Sequence, residues 1–217
     1  MKKLGLILVG AAVLVGASIG ISSQVLAINN TNLTQVINPG VLTTDIRDGS
    51  NVPVANPAFA LGATTFSFGC QTTTGTLGTA SQRIYVENPG AADSGWTTSI
   101  AATDGTSALW ANSGATQTFD FNDPAGSGCT AGQLSLDPSA GTVVIGCDVG
   151  TCTTTGITKG SNAAFNGATA ITLLNAAASS DNSGRWYFTG TGISQKIPAA
   201  QSVDSYSINL TVTTTAL

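Results

Sequence analysis

Arg83–Ala102 reads "RIYVENPGAADSGWTTSIAA". Apolar and polar residues alternate from Arg83 to Glu87, the pattern breaks at Asn88-Pro89-Gly90, and an acidic, glycine-bearing loop leads into Trp96. From there Trp96, Thr98, Ile100 and Ala102 share one side of a second alternating run. A period of two is the signature of a half-buried strand, and the Asn, Pro, Gly and Asp cluster between the runs is turn chemistry. The step Gly95-Trp96 feeds one of only three tryptophans into the second strand at its start. Its register is thereby fixed, because a slip of one residue would turn the ring to solvent.

The same pattern extends in both directions. Val41–Ile46, Thr65–Phe68 (with Phe66 and Phe68 on one face), Thr116–Phe121 (with Phe119 and Phe121 inward), Ala170–Leu174, Arg185–Thr189 and Ile193–Ile197 are further predicted strands. Leu134–Leu136 and Thr142–Ile145 flank Asp137-Pro138-Ser139-Ala140-Gly141 and are predicted to form a hairpin. The most regular run is Tyr206–Val212, with Tyr206, Ile208, Leu210 and Val212 on one side and Ser207, Asn209 and Thr211 on the other. Only Asn175–Ser180 has the composition of a helical turn. Many short strands with turn clusters between them predict an all-β fold, a two-layer antiparallel β-sandwich.

Composition points the same way. Charged residues make up 8 % of the chain, histidine is absent and Glu87 is the sole glutamate. Thr, Ser, Asn and Gly therefore solvate the surface, and β-branched threonine favours strands over helices. Residues 1–27 are read as a signal peptide: Lys2 and Lys3, an apolar run from Leu4 to Ile21, then Val25-Leu26-Ala27 as a cleavage-type tripeptide, with an uncleaved membrane anchor as the competing reading. Residues 28–217 are read as one domain, with no membrane span once the leader is removed. They hold five basic residues (Arg47, Arg83, Lys159, Arg185, Lys196) against eleven acidic ones, a net charge of −6. Such a surface disfavours nucleic acid and anionic lipid as partners. Cys70, Cys129, Cys147 and Cys152 in an exported chain predict two disulfides, with three connectivities open.

The lack of histidine removes Ser-His-Asp and Cys-His catalysis and imidazole metal sites. Carboxylate pairs remain, Asp93 with Asp104 or Asp120 with Asp123, and would suit hydrolysis of a polysaccharide. All four adjoin turn residues. Asp93-Ser94-Gly95 matches the aspartic-protease tripeptide but occurs once, where that chemistry needs two aspartates. "DFNDPAGSG" (Asp120–Gly128) gathers oxygen ligands as a calcium loop would, without the closing glutamate. No cofactor is expected. Trp96 and Trp186 are expected mainly as core residues, with a sugar-stacking platform as the alternative.

Arg83–Gly105, "RIYVENPGAADSGWTTSIAATDG", resembles the first signature region of WxL-domain surface proteins of Gram-positive bacteria. Ser183–Leu217 resembles that family's C-terminal end, with its apolar-Pro step at Ile197-Pro198 and a strand opening at Tyr206. Trp96 is the motif tryptophan that matches; the second motif stands here as Val212-Thr213-Thr214. The resemblance implies a single WxL-like, non-catalytic β-module at the cell surface. It would be held non-covalently to a cell-wall polymer or to other surface proteins, with Trp96, Trp186 and Tyr206 as the wall-binding or motif residues. Self-association into an extracellular fibre, resembling camelysin-type proteins, is the competing expectation; there Ile28–Val36 or the terminal strand would complete a neighbour's sheet.

Overall fold

A computed structural model describes residues 34–35, 40–90, 94–125, 129–147, 152–167, 169–178 and 183–217. The chain divides into two compact units, Met1–Ile37 and Asn38–Leu217, and the account below concerns the second. The leader at 1–27, most of Ile28–Val36, Asp93, Gly126–Gly128 and Ser179–Ser180 lie outside the described residues.

Among the described residues the protein is all-β, with no α-helix, and every strand pairing is antiparallel. The first sheet has the order β1 (Thr43–Arg47), β3 (Arg83–Asn88), β12 (Gly184–Thr189), β8 (Thr142–Ile145). The second runs β10 (Ala163–Ala164), β7 (Gln133–Asp137), β13 (Thr191–Ile197), β2 (Gln71–Leu77), and the third β15 (Leu210–Ala216), β4 (Trp96–Ala102), β11 (Ile171–Ala176), β9 (Ile157–Lys159). A small fourth sheet joins β14 (Tyr206–Ser207), β5 (Trp110–Asn112) and β6 (Thr118–Phe119).

The first two sheets are halves of one ribbon folded across a corner. Only Gly190 separates β12 from β13, and their neighbours change sheet at the same line, β2 to β3 and β7 to β8. Gly190 adopts φ 82° and its amide donates to the carbonyl of Gly78 at 2.8 Å, itself at φ 81°. Those dihedrals favour glycine, and switching sheets at such a bend is how sandwiches turn their corners.

This geometry overturns the predicted hairpin. Leu134–Leu136 and Thr142–Ile145 do not pair with each other: both run antiparallel to the β12–β13 ribbon, one on each side of the corner. Between them Pro138–Ala140 forms a 3₁₀ turn, and the Asp137 side chain accepts the Ser139 amide; the chain is redirected without reversing. Thr65–Phe68 is likewise not a strand. The Ser67 hydroxyl accepts the Gly69 amide and curls the segment, leaving Phe66 and Phe68 edge to face at 5.0 Å and exposed. Nor do Asn175 and Ala176 begin a helical turn: both belong to β11, where the Asn175 side chain accepts the Thr97 hydroxyl.

Of the other predicted strands, β4 at Trp96–Ala102 and β8 at Thr142–Ile145 match to the residue, whereas β2, β5, β9 and β10 fall outside the predicted set. Tyr206–Val212 keeps its alternation, but Ile208–Asn209 separates it into β14 and β15, which join different sheets. The core collects Ile84, Val86, Trp186 and Phe188 of the first sheet, Leu134 and Leu136 of the second, and Trp96, Ile100 and Leu174 of the third. Two disulfides staple it, Cys70–Cys129 and Cys147–Cys152, resolving the connectivity the sequence left open. Both fit an oxidising, extracellular-type compartment. No helix among the described residues is long and apolar enough to cross a membrane.

Candidate functional site

The two sequence-predicted tryptophans lie deep in the sandwich. Gly95, at φ 81°, lets the chain turn into β4: a Cβ there would stand 2.5 Å from the Ala176 carbonyl oxygen. Trp96 then enters the core and meets Trp186 with ring centroids 5.3 Å apart, both fully buried. The Trp186 indole donates to the Thr153 carbonyl at 2.8 Å, just past the Cys147–Cys152 bridge, whose sulfurs pack over Gly184. Both rings are fully buried and offer no face to a glycan, which sets aside the platform alternative for both: they pack the core.

Tyr206 is different. It is half-buried, its hydroxyl donates to the Ser202 carbonyl and accepts from Gln201, and its ring meets Phe119 edge to face at 5.1 Å. Phe119 in turn stacks on Trp110 at 5.9 Å, and the Trp110 indole donates to Gln195 Oε1 at 2.7 Å. All three rings line a cavity of about 660 Å³ between the inner faces of the second and third sheets, together with Phe59, Leu134 and Gln195. Its size is that of small-molecule sites, and aromatic rings can stack on a sugar residue; the Gln195 amide is engaged by the Trp110 indole and the Lys196 carbonyl. Trp110, which the sequence reading passed over, thus belongs with Tyr206. A three-residue strand between turns carries too short an alternation to reveal it.

A second feature lies on the outer face of the first sheet. Arg83-Ile84-Tyr85 and Arg185-Trp186-Tyr187 repeat one pattern, and the period of two sends Ile84 and Trp186 inward while Arg and Tyr face out together. The Arg47 guanidinium sits 3.7 Å over the Tyr85 ring, Arg83 sits 4.0 Å over Tyr187, and the two tyrosine rings are 5.6 Å apart. Glu87 receives Arg185 Nε at 2.7 Å and the Tyr85 hydroxyl at 2.6 Å. Burial, then the bond to Glu87, pushes the Tyr85 hydroxyl up to about 12. Burial opposes ionisation of Glu87, but the hydrogen bonds from Tyr85 and Arg185 and the arginine charges outweigh it and hold its carboxyl below the usual range.

Four of the described carboxylates cap turns. Asp48 accepts the amides of Ser50 and Val52, Asp123 that of Ala125, Asp137 that of Ser139, and Asp204 that of Ser205. The Asn112 amide also donates to Asp204, and these two bonds hold its carboxyl below the ordinary value. Asp104 closes the turn after β4 through its backbone carbonyl, which accepts the Ser107 hydroxyl. Asp120 and Asp123 stand beside β6, and no cluster of three or more metal-ligating side chains occurs among the described residues. Comparison of the chain with protein-family models, with curated proteins and with solved structures finds no match.

Proposed function

We propose that this protein is a secreted, non-catalytic cell-surface module of the WxL-like kind, held non-covalently to the cell wall or envelope by a glycan segment seated against Trp110, Phe119 and Tyr206. The observation that carries the proposal is the cavity between the second and third sheets, whose three aromatic rings suit stacking on a sugar polymer. The Gly95-Trp96 step and the Tyr206-initiated strand are the residues on which the WxL resemblance rests, and the two disulfides suit service outside the cell. Asp123, one member of the Asp120–Asp123 pair, accepts the Ala125 amide within its own turn, which favours a binding module over a hydrolase built on that pair.

Envelope fractionation tests it. Native protein should sediment with the wall, resist buffer washes and leave intact under denaturant, without releasing wall fragments. Protein found only in the medium, or soluble fragments appearing on incubation with purified wall, would contradict the proposal.

A further inference from the structure

The cavity between the second and third sheets has an interior and a mouth of different chemistry. Its most deeply buried walls are Leu77, Ile100, Leu134 and Leu136, with Ile193 and Leu210 half-buried beside them. The buried polar side chains among its described lining residues, Thr73 and Gln195, are already engaged. The Thr73 hydroxyl donates to the Gly62 carbonyl, and Gln195 accepts the Trp110 indole and donates to the Lys196 carbonyl. The buried polar atoms that lack a partner among the described residues, on Arg47, Arg83, Asp123 and Thr191, all lie elsewhere. A hydroxyl-rich group pushed to that depth would lose its water and gain few hydrogen bonds, whereas an alkyl chain gains by the move.

At the mouth, Trp110 and Tyr206 are half-buried. The Ala200 amide donates to the Ser67 carbonyl at 2.8 Å and so ties together two segments whose Phe66 and Val203, both exposed, line the cavity. Phe68, exposed as well, packs edge to face on Phe66 at 5.0 Å. Exposed apolar residues gathered at one opening mark a place of association. Charge narrows the ligand further. Among the described residues the lining holds no lysine or arginine, and its one charged side chain is the exposed Asp204. An anionic head, carboxylate or phosphate, would find no counter-charge there and one like charge.

We propose that the cavity takes a neutral glycolipid, its sugar against Trp110 and Tyr206 and its alkyl chain running inward along Leu77, Ile100, Leu134 and Leu136. This rests on the glycan reading above and adds the chain: the envelope polymer recognised is one that carries a lipid.

Calorimetric titration of the secreted protein with methyl, hexyl and octyl β-glucoside, each below its micelle concentration, tests this. Burying one methylene is worth a factor of roughly four, so octyl glucoside should bind about tenfold more tightly than hexyl, or better. The heat-capacity change should grow more negative with chain length. Tyr206→Ala should weaken the hexyl and octyl glucosides by a similar factor and keep the chain-length dependence. Val212→Phe, which puts a ring into the cavity from the edge strand β15, should flatten that dependence; Leu210→Phe serves the same purpose should the first variant fail to fold. Equal affinity across the three glucosides would overturn the proposal and leave the glycan reading standing. Octanol binding as tightly as octyl glucoside would overturn both, because the sugar would then contribute nothing. Equal uptake by phosphatidylcholine vesicles with and without octyl glucoside, or no binding of any glucoside, would also overturn the proposal, and binding to purified wall then decides the glycan reading separately.

Discussion

Replacing Trp186 with phenylalanine separates a core role from a surface role for the tryptophan pair. The ring is fully buried, 5.3 Å from Trp96, and its indole nitrogen donates to the Thr153 carbonyl at 2.8 Å. Phenylalanine keeps an aromatic contact but leaves that carbonyl without its donor, at a cost of about 1–3 kcal/mol. The smaller ring also leaves a void worth about 1 kcal/mol, so the expected loss is about 2–4 kcal/mol. For a domain of this size that lowers Tm by roughly 5–15 °C. Guanidinium unfolding followed by far-ultraviolet circular dichroism and tryptophan fluorescence gives the stability change, and wall binding is measured under conditions where the variant is folded. A loss below about 0.5 kcal/mol would refute the buried, hydrogen-bonded placement. Wall affinity that falls while stability holds would refute the core role.

Three further outcomes follow from the geometry. Loop-closure entropy assigns about 4 kcal/mol to Cys70–Cys129, which spans 59 residues, and about 2 kcal/mol to Cys147–Cys152, which spans five; paired serine variants in denaturant titrations should fall in that order. Gly95→Ala places a Cβ 2.5 Å from a backbone oxygen at φ 81°, so it should cost at least about 2 kcal/mol, read as a lower unfolding midpoint, whereas Gly105→Ala, with open space around it, should cost less. Tyr85 is raised from 10.0 to about 12, so its contribution is present below pH 10 and is lost as pH climbs toward 12; Glu87 is lowered, so its contribution is present above its unfolded value of 4.5 and is lost as pH falls through the folded one. Thermal melts against pH should show both flanks, and Tyr85→Phe should remove the alkaline one.

The strands that could be read from sequence are those whose inner face is apolar. β4 alternates Trp, Thr, Ile and Ala, and its burial alternates with it. β2, Gln-Thr-Thr-Thr-Gly-Thr-Leu, escaped because threonine occupies both faces and its order comes from pairing along β13. The corner was illegible for a related reason: a turn sequence such as Asp137–Gly141 reverses a chain or merely bends it according to which strand lies alongside, and that strand is some fifty residues away in β12 and β13. At the candidate sites, Tyr206 was legible from its alternating run. Trp110 and the stacked arginines depend on partners in β6, β1 and β12, and only the repeated Arg-x-Tyr pattern signalled the latter.

The most direct measurement is a binding isotherm of the folded protein on purified wall, comparing wild type with Tyr206→Ala and Trp96→Phe. Removing the Tyr206 ring should weaken binding roughly tenfold, about 1.4 kcal/mol, with little change in fold, while Trp96→Phe should lower stability and leave the affinity of the folded protein unchanged. Equal affinity for wild type and Tyr206→Ala, or no affinity for any wall fraction, would contradict the assignment of the cavity.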